Sequence, residues 1–200
     1  MAVNLSPPKN LIPVPGVRLA AVSSGVKGEQ DDLALVVFDP TAVVAGVYTQ
    51  SAFAAPPVWV AKERERTARG WLANSGNANA ATGEPGRIDA VDLCQRAAAV
   101  LELESNSLQP FSTGVIGERL PMDKLLAAIP RLATSLEPDN WLEFASAIMT
   151  TDTVAKAVSE QVNIDGEAIT VTGVAKGSGM IKPNMATMLG YIACNATVSG

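Results

Sequence analysis

The chain contains no histidine among its 200 residues. Histidine supplies the general base in Ser-His-Asp and Cys-His arrangements, and it is a common zinc ligand. Its absence excludes those nucleophile systems, and any His-ligated metal, from this chain. A nucleophile here needs another base. An N-terminal threonine can use its own α-amine, whose pKa of about 7.7–8.0 suits a base near neutrality.

Cysteine and charge are scarce as well. The two cysteines, Cys94 and Cys194, show no paired spacing, so neither a zinc site nor a disulfide framework is predicted. We expect both to be small buried hydrophobic residues. Charged residues make up 18% of the chain, below the typical share of about 25%, which favours a well-buried core. The net charge of −5 argues against a nucleic-acid-binding face.

Long apolar runs are missing. Residues 1–9 contain no apolar signal-peptide core, and the runs Leu33–Phe38 and 42–47 are far shorter than the ~20 residues that span a bilayer. We therefore expect a cytoplasmic protein without a membrane partner. The glycines fit neither a Walker loop nor a Rossmann fingerprint, so no nucleotide site and no cofactor are predicted.

The apolar pattern in the first third predicts paired strands. Leu33–Phe38 is a continuous apolar run, typical of a strand buried on both faces. Residues 42–48 form a second apolar run after the short Asp39-Pro40 turn, which predicts an antiparallel pair. A proline-rich bend at 54–58 then leads to a charged, helix-like piece at 62–66.

The remaining pattern alternates helices and strands. It predicts a short strand at 71–73, a helix over 89–103, a strand from 108, helices over 121–132 and 139–149 (the second capped by Asp139), a hairpin of 154–164 with 167–175, and a strand at 189–193. The hairpin has a strong turn signal in Asp165-Gly166. The sequence thus predicts an α/β protein, with helices packed around predominantly antiparallel sheets.

Three polar clusters follow these elements. Residues 74–79 read Asn-Ser-Gly-Asn-Ala-Asn, which by itself favours a turn. Thr113-Gly114 ends a predicted strand, where a backbone N–H and a hydroxyl can face a developing oxyanion; a capped turn is the alternative. Residues 150–153 place three threonines and Asp152 at a helix C-terminus, an end that disfavours negative charge. A solvated loop would also explain this last cluster.

The segment from Lys176 to Gly190 is interrupted by glycines, a proline and an asparagine, with Thr187 near its centre. Glycine permits close backbone approach, while proline restricts its own φ and the residue before it. The simplest interpretation is a turn leading into a buried helix, with Lys176 as a surface charge.

Within that segment, Gly179-Met180-Ile181 and the string from Pro183 to Leu189 resemble the self-cleavage site of the ornithine acetyltransferase (glutamate N-acetyltransferase) family. The resemblance implies a scissile bond between Ala186 and Thr187, with Thr187 as the acyl-accepting nucleophile. It divides the chain into an alpha chain, 1–186, forming one domain, and the start of a beta chain, 187–200. Family members are about twice this long.

The resemblance also implies a fold and site residues. The fold is that of a self-cleaving, N-terminal-threonine-nucleophile protein. Thr113 and Gly114 match the family's oxyanion hole, Thr150 and Lys176 match residues that meet substrate together with Thr187, and residues 74–79 resemble a loop bordering the active site. Cys194-Asn195-Ala196 departs from the Thr-Asp-Ala expected at that turn.

The implied activity is transfer of an acetyl group from N2-acetylornithine to glutamate through an acetyl-threonine intermediate, in arginine biosynthesis. Some family members also use acetyl-CoA. The implied assembly is a heterotetramer of two alpha and two beta chains, without a metal. Two alternatives stay open: a related self-processing aminopeptidase, and an inactive binding or structural fragment.

Overall fold

A computed structural model describes residues 6–178 and 188–198. The strands are β1 (Val17–Val22), β2 (Leu33–Phe38), β3 (Gly70–Asn77), β4 (Leu108–Val115), β5 (Lys156–Ile164), β6 (Glu167–Lys176) and β7 (Leu189–Cys194). The helices are α1 (Pro56–Glu63), α2 (Gly83–Val100), α3 (Met122–Thr134) and α4 (Trp141–Ala147), with a short 3-10 turn at Glu65–Thr67. In the described ranges the strands form two sheets, one in the order β1-β2-β3-β4 and one in the order β5-β6-β7.

The first sheet is covered on both faces, and β2 shows why. Its six residues are all buried. Leu33, Leu35 and Val37 face a core built with α2 and α3. The alternate residues of β2 face a second core, which α4 and the second sheet complete. Because successive side chains of a strand point to opposite faces, a strand between two cores has to be apolar throughout. The prediction of a strand buried on both faces is confirmed.

Strands β3 and β4 are parallel, whereas every other strand pair in the described ranges is antiparallel. The connection between them contains the 18-residue helix α2, and parallel neighbours need a crossover of this kind. The C-terminal ends of the two strands therefore meet at one edge of the sheet. There Ser75 lies opposite Thr113, and Gly76 lies opposite Gly114.

The second sheet contains the predicted hairpin. Asp165 has φ 52° and Gly166 has φ 90° between β5 and β6, which are the two positive values that a type I′ turn requires. One face of this sheet packs against the rest of the protein through Val174 and Tyr191. The Tyr191 ring lies between 5.0 and 5.2 Å from three other aromatic rings, those of Trp71, Phe111 and Phe144. The predicted α/β class with predominantly antiparallel sheets is confirmed.

Residues 42–48 correct one prediction, because they form neither helix nor strand. Both edges of β2 are already taken, by β1 on one side and β3 on the other, so no edge is left for the predicted partner. The predicted bend at 54–58 is also partly wrong, since α1 starts at Pro56. Proline is well tolerated in a first helical turn, where its missing N–H costs nothing.

Two residue-level predictions are wrong as well. Asp139 does not cap α4: the N-cap is Asn140, without a side-chain capping bond. The Asn140 amide instead donates to the carbonyls of Leu19 and Ser135. Cys194 is exposed, because it lies on the outer face of β7, while Cys94 is buried as expected. No helix in the described ranges is long and apolar enough to cross a bilayer.

Candidate functional site

Thr113 and Gly114 lie near the C-terminal end of β4, beside the C-terminal end of β3. Gly114 has φ 135°, and a Cβ there would collide with the backbone of Gly76 and Asn77. Only glycine fits this close approach of two parallel strands. Thr113, one residue earlier, is buried with 7% of its surface exposed. The Thr-Gly pair is therefore fixed by the strand geometry, and it holds the Thr113 hydroxyl at the strand end.

Lys176 lies at the end of β6 and is only 4% exposed. Its Nζ donates to Thr113 Oγ1 at 2.9 Å and to Thr150 Oγ1 at 2.9 Å. Three of the predicted site residues, from β4, from the α4–β5 connection and from β6, thus meet at one ammonium group. The position of Lys176 is not that of a surface charge. A buried ammonium with two neutral partners is well placed to receive an anion, since unpaired buried charge is costly.

The ionisation of Lys176 depends on its surroundings. Burial lowers the pKa of its ammonium, the nearby Asp152 carboxylate opposes that effect, and Lys156 adds to it. Lys27 lies close enough for the two ammonium groups to repel, and burial lowers the pKa of Lys27 as well. The site therefore concentrates positive charge in a partly desolvated place.

The segment 150–152 holds the end of β6 through three consecutive residues. Thr150 accepts from Lys176, Thr151 Oγ1 donates to the carbonyl of Ser178 at 3.3 Å, and Asp152 Oδ1 accepts from the N–H of Gly177 at 2.9 Å. Each residue of 150–152 therefore makes a hydrogen bond with a different residue of 176–178.

Asp152 is the carboxylate next to Lys156 and Lys176. Burial by itself would raise the pKa of its carboxyl. Hydrogen bonds from Lys156 and from the N–H of Gly177, together with the charges of Lys156 and Lys176, outweigh burial and lower the pKa. Asp152 is therefore a carboxylate at neutral pH. It is the negative partner inside a group of lysines.

The C-terminus of α4 is fixed in part by Lys27, which the sequence patterns do not single out. Lys27 Nζ donates to the carbonyls of Ala147 (3.2 Å) and Met149 (3.1 Å), and Ser75 Oγ also donates to Ala147. A cation is favourable at this end of a helix. Asp32 in turn accepts from the backbone N–H of Lys27 at 2.8 Å. These contacts hold the start of the 150–152 segment.

Residues 74–79 brace the end of β3 against β4. The predicted turn is wrong for residues 74–77, which belong to β3 and pair with β4. Asn74 Nδ2 donates to the carbonyl of Asn77 at 2.8 Å, and Asn74 Oδ1 accepts from Ser112 Oγ at 2.6 Å. Asn79 Nδ2 donates to the carbonyl of Gly86 at 2.8 Å. These amides are thus occupied by contacts within the protein. Their position beside Thr113 agrees with a segment that borders a site, and the contacts give this segment a supporting role.

A cleft of about 710 Å³ lies beside this cluster. Its walls are mainly apolar, and among its lining residues are Ser112, Lys156, Met188 and Tyr191. Ser112 precedes Thr113 in the chain, and Met188 follows Thr187. Ala186 and Thr187 themselves, the predicted cleavage site and nucleophile, lie outside the described residues. In the described ranges no group of three or more potential acidic or thiol ligands could hold a metal ion.

A family model described as the ArgJ family matches residues 18–200 of this sequence. The chain belongs to the ArgJ family. Over its whole length it is 48% identical to the arginine biosynthesis bifunctional protein ArgJ of Pseudomonas syringae, of which it covers 50%, and 45% identical to the protein of that name from Colwellia psychrerythraea, of which it covers 51%. The chain thus spans about half the length of the curated ArgJ relatives it matches.

Two solved structures share this fold. The arginine biosynthesis bifunctional protein argJ from Bacillus halodurans superposes with a TM-score of 0.78 at 39% identity, covering 86% of this chain and 92% of that one. The ornithine acetyltransferase of Mycobacterium tuberculosis, complexed with ornithine, gives 0.74 at 35% identity, with coverages of 86% and 94%. Each matched chain is therefore close to this ArgJ chain in length. The family and the fold that the resemblance predicted are both confirmed.

Proposed function

We propose that this chain is one half of a self-cleaving acetyltransferase that moves an acetyl group from N2-acetylornithine to glutamate in arginine biosynthesis. The observation that carries the proposal is the buried Lys176 ammonium, bonded to the hydroxyls of Thr113 and Thr150. The family membership and the relatives' names support the pathway. The complex of the Mycobacterium tuberculosis relative with ornithine supports the substrate class.

The proposed reaction begins at Thr187. Its Oγ attacks the acetyl carbonyl carbon, while its own α-amine takes the hydroxyl proton. The oxyanion that forms is held by the Thr113 hydroxyl and the Gly114 N–H. The bond from the carbonyl carbon to nitrogen breaks, and the α-amine passes its proton to the leaving nitrogen. Ornithine departs and an acetyl ester remains on Thr187.

The second half reverses these roles with a new acceptor. The neutral amine of glutamate attacks the ester carbonyl, and the same oxyanion forms and collapses. The bond from the carbonyl carbon to Thr187 Oγ breaks, the oxygen regains a proton, and N-acetylglutamate leaves. This is a ping-pong scheme, which is the usual consequence of a covalent intermediate.

Lys176 has two tasks in this scheme. Its N–H group donates to Thr113 Oγ1, which leaves the Thr113 hydroxyl proton free to point at the oxyanion and polarises that hydroxyl. Its positive charge compensates the carboxylate that both substrates carry, because a charge-assisted hydrogen bond is the simplest compensation for a desolvated anion. Thr150 Oγ1 accepts a second hydrogen bond from the same ammonium.

Self-cleavage would create the nucleophile. The Thr187 hydroxyl attacks the Ala186 carbonyl, and the bond from that carbonyl to the Thr187 nitrogen breaks, which leaves an ester and a free threonine amine. Water then hydrolyses the ester, which frees the Thr187 hydroxyl and the Ala186 carboxylate. The chain lengths support this step: the curated relatives are about twice as long as this chain, whereas the matched chains of the solved relatives have nearly its length. Separate chains of that size are what a cut precursor gives.

The complete protein would then assemble as two alpha and two beta chains in the cytoplasm. The relatives are named bifunctional, which supports a second activity with acetyl-CoA as donor. The mainly apolar cleft beside Ser112 and Met188 has room for an acyl donor.

The assay that tests this function uses the complete, cleaved protein with acetylornithine, with and without glutamate. We expect ornithine release to depend on glutamate and N-acetylglutamate to form in equal amount. Parallel lines in double-reciprocal plots would accompany a ping-pong scheme. Ornithine and free acetate released at the same rate without glutamate would instead indicate the self-processing aminopeptidase, and no release at all would contradict the proposed function. Activity of the complete protein without activity of the 200-residue chain alone would show that this chain is an inactive fragment by itself.

Replacing Lys176 by alanine should mainly weaken substrate binding. A hydrogen bond to a charged group contributes about 1.5–3 kcal/mol, so the KM for acetylornithine and for glutamate should each rise about 10- to 100-fold. Lys176→Arg should restore binding only in part, because a planar guanidinium differs from a compact ammonium. Steady-state kinetics on purified cleaved protein measure this. Unchanged KM values for both substrates would show that Lys176 does not bind them.

A further inference from the structure

Asp152 is a buried carboxylate at a junction of three elements. None of its side-chain surface is exposed. Its Oδ1 accepts from Lys156 Nζ, at the start of β5, and from the N–H of Gly177, at the end of β6. A buried charge is retained only where partners compensate its desolvation. The position of Asp152 therefore reflects a specific set of contacts.

Those contacts converge on Lys176. The N–H that Asp152 accepts belongs to the peptide bond directly after Lys176, so Asp152 fixes the backbone of this lysine. Thr150, two residues before Asp152, and Thr113 fix its ammonium. One short segment thus holds Lys176 at both ends.

The charges around Lys176 give Asp152 a second effect. Lys156 on β5 and Lys27 on the β1–β2 connection are positive, and Asp152 is the negative group that acts on the Lys176 ammonium. Asp32 and Asp31 act on Lys27. The groups from β4 and the α4–β5 connection that touch the Lys176 ammonium are the neutral hydroxyls of Thr113 and Thr150. Removing Asp152 would leave Lys156 and Lys176 without the carboxylate that compensates their charge.

We propose that Asp152 is a positioning residue for substrate binding, which holds Lys176 in place and keeps it in the ammonium form that receives the substrate carboxylate. This inference rests on the proposed function, because it requires a carboxylate substrate at Lys176. Asp152 acts through the lysine and does not touch the reacting atoms.

The effect of Asp152 on Lys176 has a definite sign. Burial and Lys156 lower the pKa of Lys176, and Asp152 opposes them. In Asp152→Asn the amide oxygen can still accept from the N–H of Gly177, but the negative charge is gone, so the pKa of Lys176 falls further. The ammonium is present below that pKa and is lost as the pH rises through it. The variant should therefore lose substrate affinity at a lower pH than the wild-type enzyme.

The experiment measures KM and kcat for acetylornithine with the complete, cleaved protein, from about pH 7 to about pH 10, the side of neutrality on which lysine titrates. In Asp152→Asn we expect the rise of KM to start at a pH lower by about one unit, the size of effect that an adjacent opposite charge produces. The kcat should change much less than KM. Asp39→Asn is the matched control, since Asp39 accepts from Thr41 in an exposed turn; its profile should coincide with that of the wild type.

A second variant should shift the pH dependence of KM in the opposite direction. Lys156→Met removes a cation that lowers the pKa of Lys176, so its KM should stay low to a higher pH than in the wild type. If Asp152→Asn does not fold, Lys156→Met is the variant that tests the inference. A rise of KM at the same pH as in the wild type, or at a lower pH, would then overturn the assignment. A normal KM profile in folded Asp152→Asn, or a uniform loss of kcat, also overturns it. If the wild-type protein transfers no acetyl group, both the proposed function and this inference are contradicted. If the wild type is active but the KM profile of Asp152→Asn is not shifted, this inference alone is contradicted.

Discussion

Replacing Thr187 by alanine in the complete protein should leave the precursor uncut. The proposed cleavage starts with attack of the Thr187 hydroxyl on the Ala186 carbonyl, and alanine has no hydroxyl to attack with. Since the free amine of Thr187 arises only from this cut, the same variant should also lack acetyltransferase activity. Denaturing gel electrophoresis of the freshly purified protein would show one band in place of two.

Two variants control this result. Thr187→Ser keeps a hydroxyl and should still be cut, although at a different rate. Thr134→Ala removes a threonine hydroxyl that donates to the carbonyls of Pro130 and Arg131 at the end of its own helix, and it should be cut normally. Normal cleavage in Thr187→Ala would contradict the assignment of Thr187 as the attacking residue.

Replacing Thr113 by alanine should lower kcat by about 10²–10³, the range found when one oxyanion donor is removed. The Thr113 hydroxyl lies at the fixed end of β4 and accepts from Lys176 at 2.9 Å. Its loss removes one donor to the oxyanion and one partner of the lysine. The first effect lowers kcat, and the second raises KM by a smaller factor, because Thr150 still holds the ammonium.

Thr113→Ser and Thr113→Val separate these contributions. Serine keeps the hydroxyl and should retain most of the activity, whereas valine keeps the shape without the donor and should resemble alanine. The assay requires cleaved protein, so any uncut precursor is removed before kinetics are measured. A kcat near the wild-type value in both alanine and valine variants would show that Thr113 only caps its strand.

Much of the fold follows from local sequence. The unbroken apolar run at Leu33–Phe38 predicted a strand covered on both faces, and the structure confirms it. Asp165-Gly166 set the turn and the register of β5 with β6. The run at 42–48 has the same local character but stays outside the sheets. Nothing in its own residues shows that β1 and β3 already occupy both edges of β2, because that is a fact about tertiary pairing.

The site, like the fold, contains residues that the sequence predicts and residues that it does not. Thr113, Thr150 and Lys176 are singled out by resemblance, and the structure brings them together across separations of 63 and 26 residues. Their roles stay predictions. Lys27 is missed, since its contact with the end of α4 joins residues 120 positions apart. The available signal is Asp32, an acid directly before a buried strand, whose carboxylate organises the Lys27 turn.

Mass spectrometry of the complete protein, before and after incubation with acetylornithine, tests the proposed chemistry most directly. We predict two chains, the second beginning at Thr187. That second chain should gain the mass of one acetyl group when glutamate is absent and lose it when glutamate is added. A single uncut chain, a cut at another bond, or a second chain that never carries the acetyl group would contradict Thr187 as the acyl-accepting residue.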